Sequence, residues 1–179
     1  MNPVGVLLSV VAGLVAIVAV VGIYNGITAS LKEGESIELL NQLRASVERI
    51  YSGQASYGAS ANADLVPIVR GFGKIPDGAK VGAAGSETIQ HAFGGAVTIL
   101  GNGGRFAITF HDLDNETCKD LGQAYAGRTR AGSGIVIMDV AATASSSVST
   151  AAPTPRGIGW LNTNCNNGPA ANDLTFVFG

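Results

Sequence analysis

Two histidines, a group of nearby carboxylates and two cysteines are the side chains here with the most capacity for chemistry. His111-Asp112-Leu113-Asp114 sets one imidazole beside two carboxylates directly after a strand-forming run, and His91 stands alone in a polar connecting stretch. A metal centre wants a second His or further carboxylates at ligand spacing, and none is evident there. The tetrad reads instead as the turn at a strand end, with an Asp capping the helix that follows. Ser145, Ser146 and Ser147 lack the Gly-x-Ser-x-Gly setting of a nucleophile elbow. The run Gly101-Asn102-Gly103-Gly104 leads into a strand rather than a helix, which argues against a phosphate cradle. These patterns assign no catalytic residue, no metal and no cofactor, and the sequence reads as that of a protein that is not an enzyme.

Cys118 and Cys165 have neither CxxC spacing nor an adjacent His pair, which removes the common zinc and thioredoxin-like readings. A disulfide and two free thiols remain, and export from the cytoplasm favours the first. Such a bridge closes a loop of roughly 50 residues and stabilises the fold by about 4 kcal/mol in the chain-entropy model. Trp160, the only tryptophan, reads more readily as core packing than as an exposed binding residue.

The elements that position these groups begin with a long helix. Residues 4–24 carry no charge, and the first charged side chain is Lys32. As a helix, about 21 residues at about 1.5 Å each span about 31 Å, the thickness of a bilayer's hydrocarbon core. Val4, Leu7, Leu8, Val11, Leu14, Val15, Val18 and Val21 belong to a segment that is apolar all round, so every face requires lipid or protein. Gly5, Ser9, Ala12, Gly13 and Ala16 let neighbouring helix backbones approach closely. The segment lacks the basic start of a cleaved secretory signal. It is therefore either a single-pass anchor, or Met1 lies close to a mature end from which a short basic leader has been removed.

Over residues 36–51 the pattern becomes amphipathic: Ile37, Leu40, Leu43, Val47 and Ile50 recur at steps of three and four. Arg44 and Glu48 sit one turn apart and can pair. No proline lies between Pro3 and Pro67, so one helix of roughly 50 residues runs to about Ser52-Gly53. Gly26 and Gly34 are the places where it should bend or loosen.

Residues 54–92 read as a connecting stretch with the turn Ile75-Pro76-Asp77-Gly78 and a short helix over about 61–70. Residues 96–100 and 105–110 form a hairpin around the glycine-rich turn. A helix opens at Asp114-Asn115-Glu116, carries Cys118, Leu121 and Tyr125, and closes at Gly127. Residues 135–138 are a third strand, 141–152 a low-complexity loop or exposed edge, 158–161 a short strand and 174–178 the last strand. The sum is an α+β fold, a long N-terminal helix packed on an antiparallel sheet. It divides into a hydrophobic helix, residues 1–27, and a globular head, residues 28–179, that includes the amphipathic half of the helix to about residue 53.

A chain of 179 residues is long enough for one domain with a real core and short for two. Apolar residues make up 46 % and charged residues 13 %, against roughly 25 % charge in an ordinary soluble domain, so something must cover much of the surface. The net charge of −2 with scattered Lys and Arg gives no attraction for a phosphate backbone and no support for a nucleic-acid partner.

Together these features resemble the type IVb pilins, the family of bundle-forming, toxin-coregulated and conjugative thin pili, over nearly the whole chain. Ile50-Tyr51-Ser52-Gly53-Gln54-Ala55-Ser56-Tyr57 is similar to the helix end of bundlin-type pilins. Ile75-Pro76-Asp77, Phe93-Gly94-Gly95 and Leu113-Asp114 ahead of Cys118 are similar to that subfamily in order and spacing. The resemblance implies the type IV pilin fold, with a Cys118–Cys165 disulfide bounding a C-terminal region in which residues 129–134 and 141–155 face outward. It implies a prepilin cut by a dedicated peptidase, with the new amine, at Met1, methylated; Tyr24 stands where pilins often carry a Tyr.

The same resemblance implies a secreted structural subunit that polymerises through Val4, Leu7, Leu8, Val11, Leu14, Val15, Val18 and Val21 into an extracellular pilus for adhesion or for contact between mating cells. Its partners would be copies of itself, the inner membrane before assembly, the pilus assembly machinery and the prepilin peptidase. One departure stands out: Gly5 occupies the place of the usual Glu, and no acid precedes Glu33. The Met1 amine must then be satisfied by Asn2 or a backbone carbonyl, or the subunit must enter the filament at a special position. A minor pilin or secretion pseudopilin at the filament tip is the alternative that this departure favours, and an unrelated membrane-anchored periplasmic domain is the third.

Overall fold

The computed structural model describes residues 3–83, 88–126, 134–141, 148–149 and 156–179, with only the backbone at residues 3–23 and 25. Its first helix, α1 (Pro3–Ile50), is one element of 48 residues. Proline is tolerated at the start because the first amides have no partner inside a helix. The helix stops at the expected place: Gly53 has φ +83°, a left-handed conformation that glycine adopts without a Cβ clash. Gly26 and Gly34 both lie within this single helix. Propagation from the turns on either side outweighs the cost of about 1 kcal/mol for each. Burial begins at Ser36, and Leu39, Leu40, Leu43, Val47 and Tyr51 then turn one face of α1 into the head.

The head contains β1 (Ala63–Asp64), α2 (Val66–Phe72), β2 (Lys80–Val81), β3 (Thr88–Gln90), β4 (Ala96–Asn102), β5 (Arg105–Leu113), α3 (Asn115–Gln123), β6 (Ile135–Ala141), α4 (Ile158–Asn164) and β7 (Asn172–Phe178). Among the described residues the strands form one antiparallel sheet in the order β2-β3-β4-β5-β7-β6, and β1 pairs with β4. The last strand in sequence is therefore an inner strand, and every one of its residues is buried. Alternation along it serves two faces. Leu174, Phe176 and Phe178 join Phe106, Ile108 and Phe110 in the core under α1. Val177 packs with Ala107, Ile137 and Val148 on the other side. Phe106 stacks on Phe178 at 5.1 Å between ring centres, and the Arg44 guanidinium of α1 lies 5.1 Å over the same Phe178 ring. Arg44 also pairs with Glu48 at 2.8 Å, one helical turn on.

Several readings need correction. Residues 158–161 are not a strand but the start of α4: Leu161 packs its methyl groups where a Cβ on Gly122 of α3 would sit, 2.5 Å away. A four-residue apolar run cannot by itself distinguish strand from buried helix. The short helix predicted over about 61–70 is α2, shifted to Val66–Phe72 because Pro67 sits in its first turn. Ala63 and Asp64 ahead of it pair with β4. The stretch 54–92 is not wholly connecting, since β2 and β3 extend the sheet. His91 does not sit in an exposed connection: it is 3 % exposed.

Candidate assembly surface

Where α1 leaves the head, exposure changes abruptly. Leu40 and Leu43 are 1 % and 0 % exposed, whereas Tyr24, Ile27 and Leu31 are 67 %, 56 % and 62 % exposed. Steps of three and four put the latter three on one face. At about 100° per residue, nine residues bring Leu40 to the side of the helix opposite Leu31. The exposed stripe of this neck thus points away from the direction in which the head is docked. Val4, Leu7, Leu8, Val11, Leu14, Val15, Val18 and Val21 belong to the same α1, and their side chains, like Met1 itself, lie outside the described residues. Among the described residues, no helix is long and apolar enough to cross a membrane.

The junction between neck and head is held by a tight turn. His91 N–H donates to the Gly95 carbonyl at 3.0 Å and Gly94 N–H to the His91 carbonyl at 2.9 Å. Inside, His91 Nδ1 accepts from the Phe93 amide at 3.3 Å while Nε2 donates to the His111 carbonyl at 2.8 Å. One nitrogen accepting and the other donating defines a neutral ring. Burial pushes the His91 pKa below its ordinary value, outweighing the hydrogen bond to the His111 carbonyl. Gly94 has φ +96°, and a Cβ on Gly95 would fall 2.1 Å from the His111 carbonyl oxygen. Both glycines of the Phe93-Gly94-Gly95 motif are thus required. Phe93 in turn sits under Lys32 of α1, 5.9 Å from ammonium to ring centre.

The four residues of the His111 tetrad part company. His111 faces the side of the sheet away from α1, with Nδ1 3.2 Å from Asp173 and Nε2 2.8 Å from the Thr98 hydroxyl. Asp112 takes φ +59° in a bulge opposite β7, which returns Leu113 to the core face. Asp114 caps α3, accepting from the amides of Glu116 at 3.0 Å and Thr117 at 2.8 Å. Among the described residues, no three His, Cys, Asp or Glu side chains gather as a metal site requires. The arrangement orients strands and caps a helix.

Cys118 and Cys165 are joined in a disulfide across 47 residues of sequence and are fully buried. The bridge ties α3 to the end of α4. Beside it Asn172, also fully buried, donates to the Leu113 carbonyl at 3.0 Å and to Asn115 Oδ1 at 2.9 Å, and accepts from the Asn167 amide at 3.2 Å. Trp160 is half-buried against the core, with the Arg156 guanidinium 4.4 Å over its ring. Gly134 and Ala141 are the only residues of 129–134 and 141–155 described besides Val148 and Ser149; the remainder of those two stretches lies outside the described residues.

Residues 32–178 match the model of the PilS N-terminal family. The chain belongs to that PilS family. The solved structures similar to this PilS-family chain include two type IV pilins. The type IV b pilin from Salmonella typhi superposes with a TM-score of 0.56 at 16 % identity, over 80 % of this chain and 97 % of that one. TcpA, a type IV pilin from the Vibrio cholerae El Tor biotype, gives a TM-score of 0.57 at 18 % identity, over 83 % and 99 %. No curated protein matches in sequence. The fold of this PilS-family chain is thus that of the type IVb pilins, a long helix on an antiparallel sheet with the Cys118–Cys165 disulfide.

The resemblance read from sequence and the family agree. Reading residue types alone missed the exposed Ile68 and Phe72 of α2, which stand in a largely apolar run, residues 65–75, that carries no mark of exposure.

Proposed function

We propose that this chain is a structural pilus subunit that polymerises through α1 into an extracellular filament, without catalytic activity of its own. The observation that carries the reading is the neck. A helix that buries one face in its own head after Ser36 presents Tyr24, Ile27 and Leu31 to solvent before it, continuous with the uncharged segment 4–24. Apolar side chains in that number gain free energy only when another apolar medium receives them. Before assembly that medium is the inner membrane; afterwards it is a bundle of sister helices packed through Val4, Leu7, Leu8, Val11, Leu14, Val15, Val18 and Val21. Lipid and packed helices are similarly apolar, so the exchange avoids the penalty of exposure to water. The assembly machinery and a prepilin peptidase complete the scheme, with a methylated amine at Met1 in the filament. Adhesion or mating contact is the task such a coat serves.

The test is deletion of residues 1–27. The shortened chain should keep a folded, disulfide-bonded head and yield no filaments, and filaments built from it would end the reading. A second reading, a minor pilin at the tip, is favoured by Gly5 in the place of the family's Glu. Composition of sheared filaments separates the two: the major subunit is the dominant band, a tip subunit a trace.

A further inference from the structure

The head carries a second apolar patch, remote from the neck. On α2, Phe72 is 76 % exposed and Ile68 36 %, large side chains that gain nothing from contact with water. Arg49, exposed near the end of α1, donates to the Phe72 carbonyl at 3.2 Å, and Lys74 is exposed just beyond Phe72. The patch is apolar with a basic rim. The neck is its complement. The face bearing Tyr24, Ile27 and Leu31 continues along α1 into the exposed carboxylates of Glu35 and Glu38, while Lys32 is turned toward the Phe93 ring. From Leu31 to Arg49 the helical rise is about 27 Å, and α1 is unbroken between them, so a molecule cannot fold its neck onto its own patch.

We propose that the α2 patch, Ile68 and Phe72 with Arg49 and Lys74, seats the neck of a second copy of this chain. Tyr24, Ile27 and Leu31 lie against the apolar side chains, and Glu35 and Glu38 face the basic rim. Opposite charges across the contact fix its register and disfavour neck-to-neck or patch-to-patch pairing. A contact between unlike surfaces of identical molecules, repeated without closing, builds a helical filament. The inference rests on the polymerisation reading above and adds which part of each head is touched.

Leu31→Cys and Phe72→Cys, placed in the full-length chain singly and together, test the contact. The native cysteines are paired and buried, so the new thiols meet only each other. Oxidation, or a short bismaleimide, applied to filaments of the double variant is expected to give a ladder of covalent multimers, and either single variant none. Filaments of ordinary appearance without a ladder overturn this inference and leave polymerisation standing; an unsubstituted chain that forms no filaments overturns both. Phe72→Glu gives an independent readout. The yield of sheared filaments should fall about tenfold or more, as for loss of a buried aromatic anchor, with thermal unfolding of the head unchanged. An unaltered yield overturns the inference.

Discussion

Leu31 and Leu43 are the same residue type on the same helix, yet the first is 62 % exposed and the second fully buried. The backbone is helical at both. In the half that docks, tertiary packing against Phe106, Phe176 and Phe178 supplies the stability. In the neck, where Tyr24, Ile27 and Leu31 are exposed, the helix is carried by propagation from the docked half. Secondary structure alone thus says little about what a residue contributes. Substitutions in the docked half should act on folding, and those in the neck on assembly.

The strongest challenge to that division is removal of the disulfide on the head side. Cys118→Ser combined with Cys165→Ser should lower the head's stability by about 4 kcal/mol in chemical denaturation; a loss under about 1 kcal/mol would mean that α3 and α4 hold together without the bridge. Leu43→Ala should cost about 3 kcal/mol by opening a cavity between α1 and the sheet, read by the same denaturation. Asp114→Ala removes the cap of α3 and should cost about 1 kcal/mol, visible as faster amide exchange at Glu116 and Thr117.

Smaller again is a pH effect at the junction. Burial holds the folded-state pKa of His91 below its ordinary value, so between the two values the unfolded chain binds a proton that the folded chain refuses. The stability is whole above about pH 6.5 and declines as pH falls through the interval below it. His91→Gln should flatten that decline in an acid titration of the unfolding midpoint. At the bottom of the scale, Leu31→Ala should shift stability by no more than about 0.5 kcal/mol while reducing filament yield. A large loss of stability there would erase the distinction between neck and head.

Much of the fold was legible because its signals are local. The steps of three and four from Ile37 to Ile50, the glycine turn between β4 and β5, and an Asp ahead of a helical run each depend on a few neighbouring residues. What stayed hidden depends on distant partners. His91 is buried because its ring reaches the His111 carbonyl 20 residues on through the room left at Gly95; the neighbouring glycines mark a turn but not the strand it packs against. α4 is a helix because Gly122 accepts Leu161 and Cys165 ties its end to α3. β2 and β3 are too short to show a pattern, and pair because β4 presents an edge. Of the candidate assembly surface, the neck could be read from its lack of charge, and the α2 patch could not, since exposure of Phe72 is a property of the folded head.

β7 comes later in the sequence than both of the strands between which it pairs. Until β7 arrives, β5 and β6 have no common neighbour, and each shows a row of unpaired amides and carbonyls along its inner edge. The sheet cannot be completed before this strand is made; it closes only when β7 enters the slot between β5 and β6. A chain cut just ahead of Asn172 is therefore an open socket, and a synthetic copy of the seven-residue β7 is the peptide shaped to fill it.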